Sequence, residues 1–209
     1  MTSTSVLQIG MIHYHDIEIG PSTQMLKGRL HFFQEMLHFE LVDKAFTDIK
    51  GIKEWQGFFS SNDTNPPLLH EDVFARIQAG TFYSSVDSST DVTRFFMMQY
   101  ELPITFHDAQ ALASSYAVRI SGYNEAIEGL RSAHLPVLYD EKGLVSSPTA
   151  GARRTSATDQ TTEGLHVFYL PPSSEAEEGK ELLQAAGKMF THIHGGTYTI
   201  SVLPVRKEV

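Results

Sequence analysis

The sequence predicts an α+β fold: two βαβββ-like modules forming a cupped mixed sheet with helices packed outside. Three observations carry the prediction. Two stretches about a hundred residues apart share one construction, a strand ending near a glycine, an amphipathic segment, and a second strand closing on an acidic-Lys pair; they are residues 9–44 and 116–142. From Leu7 to Ile19 the odd positions are Leu7, Ile9, Met11, His13, His15, Ile17 and Ile19, a period of two that marks a strand and puts two histidines on its apolar face. Leu26, Leu30, Phe33 and Leu37 then recur at helical spacing. Duplicated units that cannot bury their apolar faces alone must cover each other, so the site is expected between them.

The elements follow in order. After the first strand, Ser22 or Thr23 supplies the N-cap of a helix over residues 25–37. A strand is expected at 39–45, then an irregular aromatic stretch through Trp55, Phe58 and Phe59, a polar surface loop at 60–67, and strands near 73–86 and 93–102. That completes a first module, residues 1–105. The second, 106–209, opens with a strand at 115–121, continues with a helix marked by Tyr123, Ile127 and Leu130, and returns as a strand at 136–142. Residues 146–164, rich in Ser, Thr, Ala and Gly, read as an exposed mobile loop that could act as a lid carrying Arg153 and Arg154. Leu165 to Leu170 is a strand stopped by Pro171 and Pro172. Ser174 followed by Glu177 resembles a capping box, opening an extra helix over 174–190 with Leu182, Ala186 and Met189 inward. Gly195-Gly196 turns the chain into a last strand at 197–205.

Composition narrows the partners. With 209 residues, 41% hydrophobic and 11% aromatic, the chain can build a substantial core. Its 16 Lys and Arg against 25 Asp and Glu give a net charge of −9, which disfavours nucleic acid and anionic membrane as partners. No segment approaches the roughly 18 consecutive apolar residues of a membrane span, and residues 1–5 lack the charged and apolar regions of a secretory signal, so a cytoplasmic location is expected. The absence of cysteine removes thiolate chemistry and Cys-ligated metals. Phosphate-loop, dinucleotide, serine-hydrolase and zincin motifs are absent as well.

The run Ile12-His-Tyr-His-Asp-Ile-Glu-Ile19, the segment Phe32 to Val42 and the later Tyr100-Glu-Leu-Pro103 resemble the first module of the vicinal oxygen chelate (glyoxalase/bleomycin-resistance/dioxygenase) superfamily, and residues 116–140 resemble the opening of its second module. The resemblance covers about half the chain. It implies a small-molecule cleft with a divalent metal, Zn, Fe or Mn, held from the first and last strands of each module. His15, or its same-face neighbour His13, matches the first-strand ligand and Glu101 the last-strand one. The second module departs from this pattern: Tyr116 and Arg119 stand where its first strand needs a ligand, and its last strand lacks Glu. His192 and His194 just before that strand, with His166 nearby, could substitute. A histidine on a half-buried strand also serves as a hydrogen-bonded core residue, and both readings stay open.

The remaining candidates are apolar or linker residues. Phe95 and Met97, read on one strand face with Gln99 and Glu101, could line an apolar pocket. Arg119 and Arg153 could contact an anionic substrate there. His107-Asp108 reads as a solvated turn between modules. The function expected is therefore a small-molecule enzyme with isomerase, lyase or dioxygenase chemistry, using His15 and Glu101. The alternative is a metal-free protein of the same fold that binds or sequesters a small molecule. A homodimer is the oligomer compatible with either.

Overall fold

A computed structural model describes residues 7–59, 67–131, 134–171 and 173–205, with the side chains of 58, 59 and 131 left aside. The fold is α+β, as expected, with helices covering antiparallel sheets. One four-stranded sheet has the order β10-β1-β9-β2, from β1 (Gln8–His15), β2 (Ile104–Asp108), β9 (Gly164–Leu170) and β10 (Thr197–Pro204). A second has the order β3-β6-β7-β8, from β3 (Tyr116–Ile120), β6 (Pro136–Asp140), β7 (Gly143–Ser147) and β8 (Ala150–Gly151), and β4 (Ala126–Ile127) with β5 (Leu130–Arg131) forms a separate hairpin. All these pairings are antiparallel. Strands from both ends of the sequence thus share the first sheet.

The alternation along β1 explains the layers. Its even residues Ile12 and Tyr14 join Ile104 and Phe168 in one core with α1 (Gln24–Leu41), α3 (Leu69–Gln78), α4 (Ser88–Tyr100) and α5 (Ala176–His194). Its odd residues Leu7, Ile9 and Met11 join Leu165, Val167 and Tyr169 in a second core, closed by Leu138 and Val145 of the other sheet and by Trp55 of α2 (Lys50–Phe59). The first sheet is therefore the middle layer between the helices and the second sheet. Among the described residues no helix is long and apolar enough to cross a membrane.

Several expected elements are corrected. The strand expected at 39–45 begins as the end of α1, where Leu41 is buried one helical turn beyond Leu37. The aromatic stretch through Trp55 is helical. Residues 69–78 form α3, because His70, Val73, Phe74 and Ile77 recur at helical spacing and all are buried. Residues 93–100 belong to α4. Their β-branched and aromatic side chains imitate a strand, but the Asp87 side chain caps the helix by accepting from the Thr90 N–H, and Val92 and Phe96 align on one buried face. The helix expected from Tyr123 is the β4–β5 hairpin, whose turn residues Glu128 and Gly129 have φ of 50° and 80°; positive φ at both central positions suits a two-residue hairpin turn. α5 is capped at Glu175 without a side-chain hydrogen bond, so the capping box at Ser174 does not form. Thr23, one of the two N-caps expected, caps α1 by accepting from the Leu26 N–H at 3.3 Å. The polar loop expected at 60–67 falls almost wholly outside the described residues.

Residues 146–164 are exposed at Arg153, Arg154, Ser156, Thr158 to Gln160 and Thr162, but they are not a free lid. They contain β8 and the end of β7, and Ser146, Ser147, Thr149, Ala150, Ala152, Thr155 and Thr161 are buried. The buried hydroxyls bond inside the protein, as Ser147 does with Thr149 at 2.7 Å, so polar side chains in this part of the segment pack without solvent.

Candidate functional site

At the free edge of β2 lies an open pocket of about 280 Å³. Its apolar wall is Met97, Ile104, Phe106 and Leu69, while Thr93, Arg94 and Thr90 reach it from the first turns of α4. Gly151 and Ala152 close it from β8 and beyond, with Ser156 and Ala157 at the mouth. An edge strand leaves backbone groups unpaired, so this is a place in the sheet where polar and apolar groups can meet a ligand.

Thr105 and His107, the polar floor of the pocket, belong to one directed hydrogen-bond chain that runs into the protein behind it. The Tyr169 hydroxyl donates to Ser146 Oγ at 2.7 Å, Ser146 and Thr105 hydroxyls are 2.6 Å apart, and Thr105 Oγ1 is 2.9 Å from His107 Nε2. On the other side His107 Nδ1 is 2.8 Å from Thr155 Oγ1, which donates to the Ala152 carbonyl at 2.9 Å. Because the Thr155 proton is committed to that carbonyl, His107 donates through Nδ1 and its Nε2 accepts from Thr105. The whole chain then runs one way. Burial, and after it the Arg154 charge, push His107 down to about 4, so the ring is neutral near pH 7. Gly151 makes this possible: a Cβ there would lie 2.9 Å from His107 Cε1. His107 is thus a buried, engaged residue of β2 and not a solvated turn, while Asp108 caps the following turn through the Gln110 N–H.

A second buried imidazole backs the pocket from the helix side. His166 Nε2 meets Thr93 Oγ1 at 2.9 Å, and Thr93 in turn donates to the Ser89 carbonyl. His166 Nδ1 meets the Tyr14 hydroxyl at 3.0 Å. Burial, and after it the neighbouring imidazoles of His194 and His107, hold His166 well below its ordinary value. The ring fixes Thr93 at the pocket wall.

The expected metal ligands are distributed differently. His13 and His15 do lie together on one face of β1, ring centroids 4.5 Å apart. Their carboxylate neighbour is Glu163, with His15 Nδ1 2.6 Å and His13 Nε2 3.8 Å from Oε2. Burial and the neighbouring His15 lower His13, with Glu163 opposing them. Glu101 is elsewhere. It ends α4 in the left-handed conformation, its carboxylate accepts from the Gly51 N–H at 2.8 Å, and it shares a second pocket with Leu170. Since Leu170 pairs with Gln8 and His15 is seven residues further along β1, Glu101 sits at the opposite end of the sheet, roughly 20 Å away. Gly51 is required there because any Cβ would strike the Glu101 carbonyl.

His192 and His194 occupy the last turn of α5, where a separation of two residues points them in different directions. His192 is exposed; His194 is buried, stacked on Phe190 and bonded to Ser88 Oγ at 2.9 Å. Of the expected substrate contacts, Met97 lines the β2-edge pocket. Phe95 packs against Phe33 and Gln99 is exposed; on a helix Met97 lies two residues from each and so faces away from both. Arg119 pairs with Glu125 over the Tyr139 ring. Arg153 is exposed near Glu128, whereas Arg154 forms a two-pronged pair with Asp140 at 2.9 and 2.6 Å.

Sequence reasoning missed Thr105, His107 and Glu163. Thr105 and His107 carried a signal, the i, i+2 spacing on a strand following Pro103. Glu163 carried none, because its neighbours are set by the β1–β9 register.

No family model matches the chain. The protein named "Uncharacterized protein YhzB" of Bacillus subtilis (strain 168) is 35% identical over 201 residues, which cover 93% of this chain and 91% of that protein.

Proposed function

The chain belongs to the family of Bacillus subtilis YhzB, and for this member we propose the binding of a small molecule in the β2-edge pocket. The observation that carries the reading is the convergence of an apolar wall, Met97, Ile104 and Phe106, with a preformed polar floor at Thr105 and His107 in one open pocket. Concave, mainly apolar sites with a few placed polar groups are the usual form of a small-molecule site. The ligand class is a small compound with an apolar body and a hydrogen-bonding or anionic end. The apolar body would lie on Met97 and Phe106, and the polar end would face Thr93 and Arg94. Arg94 is held in place by the Ser84 carbonyl and the face of the Tyr83 ring.

Thermal unfolding in the presence of a panel of small aliphatic and aromatic acids and amides tests this. A ligand at a hundred times its Kd should stabilise the protein by about 2.7 kcal/mol. Ala157→Trp, which adds bulk at the half-exposed mouth of the pocket, should remove that stabilisation. A compound that stabilises wild type and variant equally contradicts the assignment, as does a panel without a single hit.

An enzymatic reading rests on one further observation: Thr105 Oγ1, His107 Nε2 and Thr155 form a hydroxyl–imidazole–hydroxyl series in which the imidazole accepts from Thr105. A positioned base beside a hydroxyl is the arrangement that activates a nucleophile. Thr105→Val should then abolish turnover by a protein that circular dichroism shows to be folded; turnover by the variant rejects this role.

A further inference from the structure

We propose that His13, His15 and Glu163 bind one divalent transition-metal ion, at a site separate from the β2-edge pocket. Among the described residues these three bring one ligand atom each to within 4.8 Å of one another. The arrangement follows from the sheet. His13 and His15 are two residues apart on β1 and so project to the same side. Tyr14 pairs with Gly164, which sets Glu163 beside them from the start of β9.

The backbone around Glu163 is held on both sides. Its carbonyl accepts from the Ala109 N–H at 2.8 Å, and the Thr162 carbonyl accepts from the Ile17 N–H at 3.0 Å. Gly164 must be glycine, because a Cβ would lie 2.7 Å from the Phe106 ring and 2.9 Å from Ile17. The carboxylate is thus delivered by a fixed segment, which is what a preformed ligand set requires.

The donor set selects the ion class. Two imidazoles and one carboxylate suit zinc, iron, manganese and cobalt and are poor for calcium or magnesium. The side chains of His13, His15 and Glu163 are 34%, 40% and 26% exposed, and the facing Thr197 and Thr199 of β10 are open to solvent. An ion can therefore enter, and water or a small ligand can fill its remaining positions. Without an ion, His15 Nδ1 and Glu163 Oε2 are hydrogen-bonded at 2.6 Å, and a bound ion would replace that contact. The site is distinct from the pocket: His13 and His107 both stand opposite Leu165, on the two strands flanking β9, roughly 10 Å apart.

The test uses tag-free protein freed of metal by chelator. Zinc is titrated by calorimetry, and cobalt(II) is followed through its visible absorption, which reports coordination by imidazole and carboxylate. One equivalent should bind. His15→Ala and Glu163→Gln should each weaken binding by about tenfold or more, since even residues that only support ligands cost that much. His31→Ala, which removes an exposed histidine paired with Glu35 on α1, should leave binding unchanged and serves as the control for scattered surface histidines. All three substitutions lie at part-exposed side chains, and circular dichroism checks that the variants fold. Absence of saturable binding overturns the proposal. So does binding that survives Glu163→Gln and His15→Ala, or that falls equally with His31→Ala.

Discussion

Replacing His107 by Gln should flatten the acid sensitivity of this protein. His107 is 1% exposed and held at about 4 against an ordinary 6.5, so its protonation is disfavoured in the folded state by about 3 kcal/mol. The unfolded chain takes up that proton first. Stability from this group is therefore fully present above pH 6.5 and is lost as pH falls toward 4. Between pH 7.5 and pH 5 the loss from His107 alone is about 2 kcal/mol. His70, held at about 3 by burial, contributes a similar loss over the same interval, and His166 and His194 shift in the same direction. Glu71, raised by burial, works the opposite way above its unfolded value. Asp87, Asp140 and Glu125 are all lowered and lose their contributions mainly below pH 5. Urea unfolding of wild type and His107→Gln at pH 7.5, 6.5, 5.5 and 5.0 measures the difference. The variant is expected to be less stable at pH 7.5 but to lose about 2 kcal/mol less on acidification. Parallel stability curves for the two proteins would refute the assignment of a buried neutral His107.

Other outcomes follow from the same contacts. Gly151→Ala, which presses on His107 Cε1, should cost about 1–3 kcal/mol by thermal or urea unfolding and weaken any ligand of the pocket. Arg154→Ala leaves Asp140, whose side chain is wholly buried, without its two-pronged partner, and a loss of about 2–3 kcal/mol is expected. Arg153→Ala, at an 87% exposed side chain, should stay within about 0.5 kcal/mol; equal effects at the two arginines would contradict the placement of residues 146–164. Limited proteolysis should spare residues 146–155 in the folded protein, because that stretch lies in β7, β8 and a short turn ending at the buried Thr155, and early cleavage there would show that it opens.

The parts of the fold legible in the sequence were those where one periodicity had no competitor. The odd residues Leu7 to His15 share one face of β1 as read, although Ile17 and Ile19 beyond the strand join the opposite core with Ile12 and Tyr14; β9 stops before Pro171, and α5 and β10 are separated by Gly195-Gly196, both at positive φ. α4 was hidden because Val92, Thr93, Phe95 and Phe96 favour strands, and only the Asp87 cap and the four-residue step from Val92 to Phe96 betray the helix. The hydroxyl-rich segment from Ser146 was misread because composition cannot tell a solvated loop from a buried network whose members satisfy one another. At the site, the common face of His13 and His15 was readable from alternation alone. Their carboxylate was not, since Glu163 is almost 150 positions away and is brought in by sheet register. Glu101 matched a motif by sequence order, and α4 carried it to the far end of the sheet.

The central claim, a ligand site at the β2 edge, is tested most directly by two-dimensional NMR of the isotopically labelled protein against a small-fragment library. Binding fragments should shift the Thr93, Met97, Phe106 and Gly151 signals together, and Ala157→Trp should suppress those shifts. Fragments that bind only elsewhere and leave these four signals unmoved would contradict the claim.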